Sequence, residues 1–304
     1  AEAFYNMIIR MNGHELPEIR KLGSKALVQA RLVSPVFFER TDMPTRGGLI
    51  TNHQKDTRES VKELARQLMG AEQRESQSIS PVRLISVDGN EEQLAAKILA
   101  DASQYPYEDT LKMVQSASYD QIAEIIETYA GERFNRRAKP GRAFELIHYF
   151  FEVECDYGAF RDIQRHRMVD GFEWQELHPN LGHVTNDAIK DAGIEQKYEQ
   201  AFAISESLYN TLRERGYNSQ AQYATLFGHI MRFSMKVNAR ALLQSAELRT
   251  TPQGHPSYRK VYQDMHTEVA RVHPIIADAM KFVSQSEDEE LARLGAERYN
   301  QSKH

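Results

Sequence analysis

One cysteine and one tryptophan in 304 residues set the first bounds on this chain. A lone thiol, Cys155, cannot close an intrachain disulfide, which excludes the small disulfide-stapled domains and fits a reducing, cytoplasmic compartment. No apolar run approaches the roughly 18 residues that a membrane-spanning helix needs, and the start has no basic-then-apolar signal pattern. The chain also lacks a glycine-rich phosphate loop of the GxGxxG or P-loop kind, so any dinucleotide is held by other means. The histidines form neither an HExxH motif nor a closely spaced Cys/His set, which leaves a zinc site unsupported. Positive charge is not in excess either: 38 Lys and Arg against 43 Asp and Glu give a net charge of -5. No general field therefore draws nucleic acid or an anionic membrane, and an anionic ligand must meet a local basic cluster.

What is present is the composition of a globular protein, 41% hydrophobic and 27% charged, long enough for one large or two small domains. Apolar residues recur at helical spacing from Phe4 to Ala30, split by Gly13 and Pro17 into two helices, and Ser34-Pro35 ends the second. The chain opens directly on a helix, which reads as the tail of a longer protein, a remnant of a preceding domain copy. A charged helix fits 56–70, and a polar run around 71–80 reads as a linker. A new domain starts at Pro81 with a short alternating strand, the turn Asp88-Gly89-Asn90 and a helix from Glu91 to Ser103. Further on, the patterns predict helices over 119–130, 159–167, 195–215, 217–230, 238–248 and 256–284. Strands are expected at Phe150–Tyr157 and Phe233–Val237. The reading is a helical extension over 1–75 and an α+β domain over 80–304.

Two basic clusters stand out. Arg161-Asp-Ile-Gln-Arg165-His166-Arg167 sets two guanidinium forks around an imidazole, a set that can grip phosphate oxygens or stack on a flat ring. An exposed basic helix end explains the same run. The second is Asn238-Ala-Arg240, then Gln244, then Glu247-Leu-Arg249 along one helix, able to line a polar ligand; the alternative is a surface helix with Arg240 and Glu247 solvated. Cys155, in an alternating strand, reads as a small buried hydrophobe, and Tyr149, Phe150, Phe151, Tyr157 and Phe160 read as sheet core. In the turn from Thr251 to Arg259, His255 and Arg259 could stand at a pocket rim, with capping the plainer role.

In order and spacing, Phe144-Glu145, the strand after it, Arg165-His166-Arg167, Glu173, Asn238-Ala-Arg240 and Glu247-Leu-Arg249 resemble the flavin-dependent thymidylate synthase family over residues 80 to 304. The resemblance implies an antiparallel sheet flanked by long helices, with FAD bound between the subunits of a homotetramer. It implies dUMP as methyl acceptor, methylenetetrahydrofolate as carbon donor, NADPH as reductant and dTMP as product. By position, Arg165, His166, Arg167, Asn238, Arg240 and Gln244 would meet the FAD, and Glu173 and Arg249 the pyrimidine nucleotide. The chain also departs from the pattern. Asp170, Phe172, Gln175 and Leu177-His178 replace Ser, Asn, Ser and Arg-Tyr, Gln222 replaces a phosphate-binding Arg, and Asp162 replaces Gln. Each lost charge-assisted contact is worth about 1.5–3 kcal/mol. These changes motivate two alternatives: a domain that keeps the fold as a scaffold without the reaction, or a flavoenzyme for a different nucleotide.

Overall fold

The computed structural model describes residues 1–70 and 81–286, together with position 298; the linker expected around 71–80 lies outside them. The chain divides into two compact units, one of residues 1–75 and 206–224, the other of 76–205 and 225–304.

In the first unit, α1 (Glu2–Asn12) and α2 (Pro17–Val33) flank the Gly13–Leu16 turn, with Pro17 at the first position of α2, where its missing N–H costs nothing. A short α3 (Pro35–Phe38) and the long α4 (Gly47–Met69) follow. Ile8, Leu27, Ala30 and Phe38 form the buried centre, with Phe4 edge-on to Phe38 at 6.0 Å. Helix α4 begins well before the expected residue 56. Its first glycine is there for close approach rather than as a breaker, because a Cβ on Gly47 would lie 1.9 Å from the Thr41 carbonyl oxygen.

In the second unit, β1 (Val82–Asp88) leads into α5 (Glu91–Ala102), α6 (Tyr107–Gln115) and α7 (Tyr119–Ala130). Two capping boxes fix helix starts: Asn90 with Gln93 opens α5, and Ser118 with Gln121 opens α7. Helix α6 was not anticipated from the sequence. Then come β2 (His148–Asp156), α8 (Tyr157–Ile163), β3 (Gly171–Trp174), α9 (Asp187–Asp191) and α10 (Glu195–Glu214), whose residues from 206 on count with the first unit. The unit closes with β4 (Ile230–Asn238), α11 (Ala239–Arg249), α12 (Pro256–Val272) and α13 (Pro274–Asp278).

The four strands make one antiparallel sheet in the order β1-β2-β4-β3. Alternation sends Tyr149, Phe151 and Val153 of β2, and Phe233, Met235 and Val237 of β4, to one face, all buried. They share a core with Leu242, Leu243 and Ala246 of α11 and Tyr262, Met265 and Val269 of α12, so the helices cover that face. Each large side chain so buried stabilises by roughly 1.5–3 kcal/mol. Residues of the opposite parity face away from those helices, including Glu154, which accepts from Arg232 Nε at 2.8 Å. Cys155 is buried as expected, and burial pushes its thiol far above the usual range.

Three expected helices are shorter or absent. The 217–230 stretch holds only a single 3-10 turn at Ala221–Ala224. Beyond it, the backbone around Phe227 to His229 is spent on other segments: Phe227 O accepts from Gly158, Gly228 O from Val184 and His229 O from Tyr157. The 256–284 helix breaks at His273-Pro274, since proline has no N–H for the ladder and forces the preceding residue out of helical geometry; His273 sits at φ -138°, ψ 73°. Helix α8 stops at Ile163, four residues short of expectation, which leaves Arg165, His166 and Arg167 in irregular chain. One strand, β3, was not anticipated: four residues are too few for a period-two signal.

Candidate functional site

Asp156 caps the start of α8, accepting from Ala159 N at 2.8 Å, and the helix ends where His166 N donates to Ile163 O at 3.0 Å. This turn sends Arg165 and Arg167 outward and the His166 ring inward, edge-on to buried Tyr262 with centroids 5.9 Å apart. Arg249, the last residue of α11, reaches the same point, and its Nε donates to His166 Nε2 at 3.2 Å. That bond makes Nε2 the acceptor and puts the ring proton on Nδ1. Tyr258, in the first turn of α12, lies under the guanidinium, whose carbon is 5.5 Å from the ring centroid. An open cavity of about 390 Å³ is bounded here by Arg165, Arg249, Thr251, Gln253, Gly254 and Tyr258. Two basic motifs more than 80 residues apart in sequence thus converge on one cavity.

The electrostatics favour an anion. Burial, with the Arg249 charge adding to it, lowers the His166 pKa to about 4, so the ring is neutral at physiological pH. A neutral partner leaves the Arg249 charge uncancelled. Arg165, in contrast, pairs with Asp162. The donor set suits a phosphate-bearing group: a guanidinium offers forked N–H donors to phosphate oxygens, and a ring beside it can meet a flat heterocycle.

Below the cavity, α11 is anchored by a pair that the sequence did not reveal. Glu247 is fully buried rather than solvated and accepts from Arg133 Nη1 at 2.6 Å, while the same Nη1 donates to Ala279 O at 3.0 Å. Phe282 N also donates to Glu247, at 3.3 Å. His255 caps α12, accepting from Ser257 N at 3.3 Å, and Arg259 is buried, its Nη2 donating to Ser286 O at 2.9 Å. Neither forms the rim; Tyr258, between them, does. Its only sequence signal was its place in the first turn after Pro256.

The remaining expected residues lie elsewhere. Asn238 caps α11, accepting from Ala241 N at 2.9 Å. Arg240 Nε donates to Pro140 O at 2.9 Å and its Nη1 to Glu145 at 3.2 Å. Arg142, with Arg240 behind it, holds the Glu145 carboxyl below the usual carboxylate range. Gln244 is half-buried midway along α11. Arg240 and Arg249 stand nine residues apart, roughly 14 Å along the helix axis. Glu173 pairs in register with Ser234 on the sheet face away from α11 and α12, and so on the opposite side from Arg249. Its neighbours, half-buried Phe172 and exposed Trp174, lie on the other face with ring centroids 5.8 and 5.6 Å from Phe160, which sets an aromatic ring at 172 where the resemblance expects Asn. Asp170 meets His148 at 3.5 Å, and Gln222 lies in the other unit, where its Nε2 donates to Ser219 O at 2.7 Å. No group of three or more metal-ligating side chains occurs among the described residues, and no described helix is long and apolar enough to cross a membrane.

The sequence model of the family described as thymidylate synthase complementing protein matches residues 49–275. A UPF0159 protein of Chlamydia muridarum (strain MoPn / Nigg) is 30% identical over 294 residues, 96% of this chain and 55% of the relative. A UPF0159 protein of Chlamydia pneumoniae is 31% identical over 294 residues, 96% of this chain and 54% of its own. The chain therefore spans about half the length of these curated relatives. Among solved structures, the UMP/dUMP methylase PolB from Streptomyces cacaoi, crystallised with 5-Br dUMP, aligns with a TM-score of 0.51 at 18% identity, over 66% of this chain and 93% of its own. That is a likeness of fold.

Proposed function

The chain belongs to the thymidylate synthase complementing protein family, and from that premise we propose that it is a flavin-dependent nucleotide methyltransferase converting dUMP to dTMP. The observation that carries the reading is the cavity where Arg165, His166 and Arg249 meet beside Tyr258. Arg249 binds the nucleotide phosphate, its charge preserved by a neutral partner. Arg165 and Arg167 engage the FAD phosphates, and His166 presents a neutral ring that orients Arg249 without competing for the anion. Methylenetetrahydrofolate supplies the one-carbon unit and NADPH the reducing equivalents. The flavin, when bound, supplies hydride chemistry; the protein supplies placement and electrostatics.

Asn238, Arg240 and Glu173 stand away from this cavity, while Gln244 lies one turn before Leu248 at its edge; in this reading the distant three serve a site shared between copies of a homo-oligomer, a tetramer by resemblance. Residues 80–304 form the flavin-binding domain and 1–75 a helical extension. The test is spectroscopic. Protein purified with flavin available should show near-ultraviolet and blue flavin absorption that bleaches on adding NADPH, and should bind dUMP by calorimetry. Protein that stays colourless and shows no flavin-dependent thermal shift would refute the proposal.

A second reading is favoured by the aromatic contact of Phe172 with Trp174 and by the Asp162–Arg165 pair. In it the chain is a scaffold partner that keeps the fold and has lost the dUMP contacts. Rescue of a thymidine-requiring strain by this chain alone excludes the scaffold. Tighter binding of another pyrimidine nucleotide than of dUMP redirects the reading to a flavoenzyme for that nucleotide.

A further inference from the structure

We propose that Tyr258 is a positioning residue that holds the Arg249 guanidinium at the cavity as a charged anion hook. The inference rests on reading Arg249 as the nucleotide's phosphate contact. Several other arginines in this unit are fixed by carboxylates: Arg133 by Glu247, Arg165 by Asp162, Arg232 by Glu154 and Arg240 by Glu145. A carboxylate fixes a guanidinium well but cancels its charge. Arg249 is held otherwise. Its Nε is tied to the neutral His166 ring at 3.2 Å, and its face rests on the Tyr258 ring at 5.5 Å. An aromatic face attracts a cation through its quadrupole and leaves the net charge intact.

The ring's place is itself built. His255 and Pro256 start α12 so that Tyr258 falls in its first turn, above the loop from Thr251. Gly254, buried in that loop, makes room: a Cβ there would stand 2.7 Å from the Tyr258 hydroxyl oxygen and 2.8 Å from a ring carbon. A side chain at 254 therefore forces the ring to shift from this place. The hydroxyl is not part of the hook, because the contact is with the ring face.

The test uses the full chain as wild type, Tyr258→Phe, Tyr258→Leu and Gly254→Ala. Calorimetry measures binding of dUMP and, separately, of inorganic phosphate, and histidine nuclear magnetic resonance follows the His166 titration without ligand. Tyr258→Phe should match wild type in both. Tyr258→Leu and Gly254→Ala should bind about two- to fivefold more weakly, the range of a partly exposed cation–π contact. In both, His166 should titrate at higher pH as the guanidinium drifts from it. Gly254→Ala carries the comparison if Tyr258→Leu does not fold. A His166 titration unmoved in both variants overturns the proposal, as does unchanged binding of a ligand that wild type binds. If wild type binds neither dUMP nor phosphate, the reading of Arg249 as nucleotide contact fails. The His166 titration then still decides whether Tyr258 holds the guanidinium.

Discussion

At the scale of single residues, His166 shows how one contact sets a charge state. Its ring is desolvated and faces Arg249, so the folded chain resists protonating it until about pH 4, whereas an unfolded chain takes up the proton near 6.5. Between those values the unfolded state binds more protons, so the stability this ring contributes is complete above pH 6.5 and is lost as pH falls toward 4. His178, His229 and His273 are lowered by burial as well and add to the same trend. Replacing His166 by Gln should flatten, without abolishing, the fall in melting temperature across that window; thermal melts at half-unit pH steps measure it. An unchanged slope would mean that the ring titrates normally in the folded chain.

At the scale of elements, the end of α11 is held by the buried Arg133–Glu247 pair, which joins the segment after α7 to α11 and to the chain beyond α13. Breaking one side of such a pair leaves a buried charge uncompensated. Glu247→Gln should therefore cost about 3–5 kcal/mol in urea unfolding, while the double change Arg133→Met with Glu247→Leu should recover most of it. The sequence foretold the elements whose own residues state their boundaries. Asn90, Ser118 and Pro17 announce helix starts, and the alternation of β2 was plain because only one of its faces is buried. Where tertiary bonds overrode local pattern, at Phe227 to His229, or where an element was too short to show a period, as in β3, the sequence was silent. The same holds for the site. Arg165, His166 and Arg249 were legible as motif residues. Glu247 was not, because its partner Arg133 lies 114 positions away and no local spacing marks a buried pair. Tyr258 was hidden for a related reason: its value lies in what it rests under.

At the scale of the molecule, the sheet separates Glu173 from Arg249, and this bears on assembly. If both serve one nucleotide, each must come from a different copy. Glu173→Gln and Arg249→Gln, each expected to bind dUMP weakly as a pure protein, should then regain part of the binding when the two are unfolded and refolded together, since mixed oligomers rebuild some intact sites. Mixing that restores nothing would confine the site to one chain. Cys155 bears on the whole domain in another way. It is the chain's single thiol, buried near the end of β2 opposite Met231 with its proton held tightly, so an added disulfide reagent has little access to it while these strands stay paired. Its reaction should be slow and single-phased, and at high reagent concentration its rate should become independent of reagent. The lone cysteine is thus a built-in clock for how often this end of the sheet opens.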